Sequence, residues 1–502
     1  MRENLGCCIL ATMKNRLSIA VLIAAVLRLY DLGGQSYWTD EAISLEVAHW
    51  SWRTLFAYFQ ADPHPPLFYL LVRGLVFLGF YGETSLRLLS ALAGIGTVWA
   101  IETYLSRRFG EQVAWFGALL VALNPLSIWI SQELRGMALA GFFLSLGLLA
   151  GQLFKQSPRR RWLWLAIFAF IAAFYTHYFA LFIIPVLLLG DHPARRTAVI
   201  SSLIFSPWLF FILRQWQSAR AYRPSVPLWR QLAETVLYTN AGHFPWRWPT
   251  WCGTLEHLFI DHFFLYLACG LLLSLPLAIL VLFGVRHDKR LLAAFFFPLF
   301  FSLFLARLAP IFQVKYLAMY LPFLLATAGI GTVILSKRSR IGATLLFVFI
   351  VANSLLNLAD HYENPLYRKP PWRDVLPLLT ASLTAQDRVV LYSAQDAKDF
   401  RHYFNYNAPS IYIINDFNQL KNGEFVGDGI ARLFPEQTLI RKIIVIDLNG
   451  ELYLELRTAL LSELTRQRGE PLITEIQPAM GIRWLEFSPP KLTRPCPSSD
   501  GS

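Results

Sequence analysis

Apolar runs recur about eleven times along this 502-residue chain. Each is near the roughly 20 residues needed to cross about 30 Å of hydrocarbon. They lie near residues 17–32, 86–105, 113–130, 137–154, 162–175, 179–190, 198–213, 263–283, 291–308, 316–335 and 341–358. The runs 162–175 and 179–190 are short and separated only by Thr176-His177-Tyr178, a tight hairpin that reaches one face and returns. A water-soluble core cannot absorb so many such runs. Composition agrees: 55% of the residues are hydrophobic and 16% charged, where a soluble domain carries about 25% charged. With only five Cys, 29 Gly and 28 Pro, the chain is neither a disulfide-rich secreted module nor collagen-like.

The net charge of +12 would point to nucleic acid in a soluble protein. Here its placement argues otherwise. Arg107-Arg108, Lys155 with Arg159-Arg160-Arg161, Arg195-Arg196, Arg286 with Lys289-Arg290, and Lys337-Arg338 with Arg340 each occupy a short connection. Arg2, Lys14 and Arg16 precede the first run. Together these six segments hold 17 Lys and Arg against four Asp and Glu. Every second connection is therefore basic, which assigns these loops and the N-terminus to the cytoplasm. The expected protein is a polytopic α-helical one of the inner (plasma) membrane, multi-pass, in contact with membrane lipids and not with nucleic acid. Eleven spans put the C-terminus outside. The first run is read as a retained span, since no small-residue cleavage site follows it.

Three exterior segments follow from this parity. The first, 33–83, includes an apolar stretch, 67–79, that contains Arg73 and reads as a helix in the interface. The second, 214–262, is rich in Trp and Tyr, as suits headgroup anchoring. The third is the tail. Its runs 388–392, 411–414 and 442–446 read as strands, 372–385 and 450–468 as helices, and 481–487 as an added edge strand. That pattern predicts an extracytoplasmic α/β domain with a largely parallel sheet. The expected division is thus a membrane domain over 1–358, the α/β domain over 359–488 and a disordered tail over 489–502. Cys252 and Cys496 would share one side, but no disulfide is expected.

No glycine-rich nucleotide loop, zinc-type Cys/His spacing or nucleophile elbow occurs. The chemistry-bearing candidates lie near the outer face. Asp40 and Glu41 follow Thr39, a good N-cap. Acids in a first helical turn favour its dipole; a carboxylate held among aromatic residues also suits a general base. Neighbouring helical residues project about 100° apart, so one acid would react and the other orient. His64, in Asp62-Pro63-His64-Pro65-Pro66, is either a linker residue before a helix or a ligand. Glu133 and Arg135 follow the third run, and Lys315-Tyr316 opens the tenth. Surface pairing and snorkelling explain such charges, and binding of a sugar or a lipid phosphate explains them equally. A divalent metal is compatible with the acids, and no cofactor is required.

Read in order, these residues resemble a known family. The Arg28-Leu29-Tyr30 end of the first run, Trp38-Thr39-Asp40-Glu41-Ala42, His64-Pro65-Pro66-Leu67, Ser85-Leu86-Arg87-Leu88-Leu89-Ser90-Ala91-Leu92 and Ser131-Gln132-Glu133-Leu134-Arg135 are similar to polyprenyl-phosphate-dependent GT-C glycosyltransferases. The likeness is to the bacterial dolichyl-phosphate-mannose–protein mannosyltransferase-like group, which includes lipid A aminoarabinose transferases. It covers roughly residues 17–358. It implies a GT-C-like fold of about 11 transmembrane helices. The implied reaction moves a sugar, hexosyl or pentosyl, from a polyprenyl phosphate to an envelope lipid, glycan or protein at the outer membrane face, with inversion. In that reading Asp40 is the base, Glu41 its neighbour, and His64, Glu133, Arg135, Lys315 and Tyr316 bind substrate and lipid phosphate. The competing reading is a polytopic transporter or lipid flippase, although no repeat or mid-membrane charge pair favours it.

Overall fold

A computed structural model describes residues 18–221, 227–241, 263–309 and 311–363. In the tail it describes residues 369, 372–374, 388–391, 411–413, 443–448, 465, 471–477 and 482–487. Each of the eleven apolar runs is helical, but they differ in length and continuity. By length and composition, Glu83–Phe109, Gly136–Gln156, His192–Trp216 and Arg340–Glu363 can cross a membrane. Glu111–Leu123 with Pro125–Ser131 makes a fifth if that pair, bent by 61°, counts as one span. Shorter apolar helices include Ile19–Leu29, Leu67–Phe77 and Leu321–Ser336. Two runs open as 3-10 helices, Tyr178–Ile183 before Ile184–Leu188 and Val314–Met319 before Leu321–Ser336. The expected eleven uniform spans are therefore replaced, among the described residues, by a few full-length helices with shorter and broken ones between them.

The 61° break has a chemical cause. Pro125 has no N–H and cannot continue the preceding helix. Asn124 caps the next one, its side chain accepting the Ser127 N–H at 2.9 Å. The last carbonyls of Glu111–Leu123 are left without intrahelical partners, and Arg28 takes them. Its guanidinium, 1% exposed, donates to Ala122 O at 3.0 Å and Val121 O at 3.3 Å. The arginine that ends the first run is thus the cap of a helix nearly a hundred residues later.

Elsewhere, helices meet backbone to backbone. A Cβ at Gly331 would lie 1.7 Å from Leu280 O, and one at Gly284 2.0 Å from Thr327 O, so Phe263–Val285 and Leu321–Ser336 touch only because these positions are glycine. Leu272, Leu282, Phe300, Ile341 and Leu345 are each more than half exposed. Such a girdle would aggregate in water and is at ease against lipid. At one end of the helices the basic connections gather around two N-cap carboxylates. Asp191 holds Lys155 at 2.6 Å and Arg290 at 3.2 Å; Asp288 holds Arg108 at 2.9 Å.

The tail holds a five-stranded sheet of order β2-β1-β3-β5-β4. The strands are β1 (Arg388–Leu391), β2 (Ile411–Ile413), β3 (Ile443–Leu448), β4 (Leu472–Gln477) and β5 (Ile482–Phe487). β1 pairs in parallel with β2 and β3, whereas β5 runs antiparallel to both β3 and β4. The sheet is mixed rather than largely parallel. The segment expected as an edge strand is interior, because β4, absent from the sequence reading, covers its outer side as a hairpin partner. The expected helices 372–385 and 450–468 lie outside the described residues except at 372–374 and 465, as do 489–502, most of 214–262, Cys252 and Cys496.

The chain separates into two compact units. One comprises Met1–Gly33 with Val47–Asn364, the other Gly34–Glu46 with Pro365–Ser502. The stretch that carries Asp40 and Glu41 thus groups with the tail.

Candidate active site

Within the first unit, four separate connections meet. Asp62 ends the helix Trp52–Ala61, its N–H donating to Tyr58 O. The prolines around His64 hold the next residues extended until Leu67–Phe77 begins. His64 Nδ1 hydrogen-bonds Asp62 Oδ2 at 2.9 Å, and the Tyr69 hydroxyl donates to the same oxygen at 3.3 Å. On the other side of the ring, Nε2 lies 3.3 Å from Arg135 Nη2. Guanidinium nitrogens only donate, so Nε2 accepts and the proton sits on Nδ1. His64 is consequently a bridge: the Asp62 carboxylate fixes its tautomer, and its free lone pair steers Arg135.

Burial alone would push the Asp62 carboxyl up. The neighbouring His64, the hydrogen bonds from His64 and Tyr58, and the Arg135 charge bring it below the ordinary 3.8. Sequence reasoning passed over Asp62, although it stands in the same five-residue string as His64.

Arg135 leaves a tight turn after Pro125–Ser131, with its N–H donating to Glu133 O at 2.8 Å. Glu133 is 2% exposed and shares this turn. Gln132 anchors the turn to the end of the first helix by donating to Tyr30 O at 2.8 Å.

His177, also unremarked as a site residue, sits at the turn of the short hairpin. Its ring lies 4.8 Å from that of Tyr316 and 6.4 Å from that of His64. Nδ1 accepts the Phe179 N–H at 3.3 Å, which leaves the proton on Nε2. Burial, then the positive surroundings of His64, Arg135 and Lys315, drive its pKa well below 6.5. Folding therefore keeps this ring neutral while the unfolded chain protonates it, and stability falls as pH drops below 6.5. Between about pH 7.5 and about pH 5.5 the melting temperature of the full-length protein is expected to decline, and the decline to be smaller in His177→Asn. Equal pH slopes for the two proteins, followed by intrinsic fluorescence, would refute this.

Lys315 and Tyr316 lie on the 3-10 helix Val314–Met319, with Tyr316 buried and Lys315 half-buried. Beside the cluster lies a cavity of about 190 Å³. His64, His177 and Tyr316 form its polar end; Phe179, Phe182 and Leu305 belong to its apolar remainder. The structure thus brings His64, Arg135, Lys315 and Tyr316 together. Among the described residues no group of three His, Cys, Asp or Glu side chains could hold a metal ion.

In the second unit, the helix Thr39–His49 carries both acids in its first turn. Thr39 is the first helical residue, so Trp38 takes the capping position and Glu41 is third in the helix. Glu41 Oε2 reaches back to the Trp38 N–H at 3.3 Å, half of a capping box. Glu41 is wholly buried and ion-paired with Lys369 at 2.8 Å. Asp40 is half-buried, and its carbonyl accepts the Ser44 hydroxyl at 2.9 Å. Of the two carboxylates, Glu41 is committed to holding the turn.

A multi-pass helical membrane protein with a cation-bearing polar cluster beside an apolar cavity is the class these features define. Residues 63–215 match the sequence model of the dolichyl-phosphate-mannose-protein mannosyltransferase family. The fold is similar to that of ArnT from Cupriavidus metallidurans in the apo state, with a TM-score of 0.56, 13% identity, and coverage of 94% of this chain and 97% of that one. The same protein bound to undecaprenyl phosphate gives a TM-score of 0.52 at 14% identity, covering 93% and 97%. The apo oligosaccharyltransferase of Archaeoglobus fulgidus gives 0.50 at 13%, covering 89% and 70%. No curated protein matches the chain. The resemblance to polyprenyl-phosphate-dependent GT-C glycosyltransferases read from the sequence is thereby borne out in fold and, over 63–215, in sequence.

Proposed function

We propose that the protein is a glycosyltransferase of the inner membrane that moves a sugar from a polyprenyl phosphate to an envelope acceptor. Support comes chiefly from one observation: Arg135, His64, His177 and Lys315–Tyr316, drawn from four connections, cluster at the polar end of an apolar cavity. A lipid phosphate needs this combination, cations for the head and an apolar slot for the first isoprene units. The match of 63–215 to a family named for a dolichyl-phosphate sugar adds to it.

In this mechanism Asp40 takes the proton from the acceptor hydroxyl. The oxygen forms a bond to the anomeric carbon as the bond from that carbon to the phosphate oxygen breaks, with inversion. Polyprenyl phosphate leaves with the electron pair. Arg135 and Lys315 meet its growing charge, and the His177 Nε2–H offers a further donor. The N-terminus and basic connections are assigned to the cytoplasm and the tail to the outside, where the donor sugar would be presented. Domain roles follow: 1–358 carries the transferase, and 359–488 forms an extracytoplasmic domain.

The test is transfer in vesicles holding the full-length protein, with labelled polyprenyl-phosphate sugars and envelope extract as acceptor. Label moving from the lipid-linked donor and not from a nucleotide sugar is the expected result. Movement of intact lipid-linked sugar across the bilayer without transfer would favour the transporter instead.

A further inference from the structure

We propose that Lys369, from beyond the last membrane helix, is a positioning residue for the transfer reaction. Its ammonium locks Glu41 and, through Glu41, the helix turn that carries Asp40. The inference rests on the reading of Asp40 as base and adds to it what holds that base in place.

The contact is more than a surface ion pair. Glu41 is 0% exposed, and a carboxylate taken wholly out of water is kept only with a counter-charge and further donors. Lys369 Nζ supplies the charge at 2.8 Å and the Trp38 N–H a second bond at 3.3 Å. The same strap adds three hydrogen bonds over the preceding residues. The Lys369 N–H donates to Gln35 Oε1 at 3.0 Å, the Arg373 N–H to Ser36 Oγ at 3.1 Å, and Arg373 Nη2 to Gly34 O at 3.3 Å. Between them Trp372 is 1% exposed. Backbone donors of residues 369 and 373 thus satisfy side chains at 35 and 36, so neither segment closes its hydrogen bonds alone.

The geometry converts this clasp into an effect on Asp40. Successive residues on a helix are set about 100° apart around its axis. Fixing the azimuth of Glu41 therefore fixes that of Asp40, and the Ser44 hydroxyl bond to Asp40 O stiffens the same turn. General-base catalysis is sensitive to such placement, since a displacement of about 1 Å can cost about 100-fold in rate.

The decisive comparison uses the full-length protein in vesicles. For Lys369→Met, kcat per folded molecule is expected to fall about 100-fold, with the donor KM within about threefold of wild type. Lys369→Arg restores a large part of kcat by restoring the charge, and the exchanged pair E41K/K369E restores some. In parallel, hydrogen exchange of the amides of residues 34–46 speeds up in Lys369→Met and not in Lys369→Arg. Where Lys369→Met fails to fold, E41Q/K369M leaves no lone buried charge, and its kcat is expected to stay well below wild type. Unchanged kcat together with unchanged exchange, or a loss that Arg does not relieve, overturns the proposal. A wild-type protein that transfers nothing refutes the function reading through its own control, while the exchange data still decide whether Lys369 holds the helix.

Discussion

Asp40→Asn is expected to reduce transfer from the lipid-linked donor by about 1,000-fold, within the range seen when a positioned general base is removed. The side chain keeps its shape and loses only the ability to take a proton. The donor KM should therefore hardly move, and the loss should appear in kcat. Asp40→Glu keeps the carboxylate and displaces it by one methylene, so a partial rate is expected. Measurement in vesicles with labelled donor separates these outcomes. Near-wild-type transfer by Asp40→Asn would remove Asp40 from the chemistry. Glu41→Gln is the instructive contrast, because its fault lies in the held turn and should show as faster exchange at 34–46 as well as reduced rate.

The second large effect is expected at Arg135. Its guanidinium is aimed by His64, itself fixed by Asp62 at 2.9 Å. Arg135→Gln retains a donor and removes the charge; kcat/KM should drop by about 100- to 1,000-fold, as when a preorganised donor to a developing anion is lost. Arg135→Lys should recover only part, since an ammonium cannot repeat the planar fork. Inhibition by free polyprenyl phosphate should weaken in step, because the leaving group uses the same cation. If Arg135→Gln bound polyprenyl phosphate as tightly as wild type, the phosphate assignment would fail. His64→Asn is expected to show a milder version of the defect, acting through the orientation of Arg135.

The membrane helices were legible because hydrocarbon imposes a length and a composition that few soluble helices share. What the apolar pattern could not carry was continuity. The break at Asn124-Pro125 and the 3-10 starts at Tyr178 and Val314 depend on local caps within runs of uniform hydrophobicity. Likewise β1, β2 and β3 were read to within a residue or two from β-branched runs, but β4, whose polar Thr474, Glu475 and Gln477 dilute the pattern, was missed.

At the site, residue types near the outer face were enough to flag Asp40, His64, Arg135 and Lys315. Their partners were not readable. Arg135 meets His64 across 71 residues and Lys369 meets Glu41 across 328, and no local periodicity encodes such distances. His177 escaped for another reason. A lone histidine in a hairpin looks like punctuation until the ring of Tyr316 and three surrounding cations are placed around it.

The arginine at the end of the first helix bears on how the chain can be made. Arg28 satisfies carbonyls at 121 and 122, and those carbonyls are exposed by a break that the third apolar run carries within itself. Synthesis proceeds from the N-terminus, so the donor has already entered the bilayer when the acceptors emerge. The reverse order would leave open carbonyls in lipid with nothing to bind them, at several kcal/mol each. A permuted gene that moved the first helix to the end of the chain would preserve every contact of the finished protein, yet it would force the broken helix to wait uncapped in the membrane during assembly.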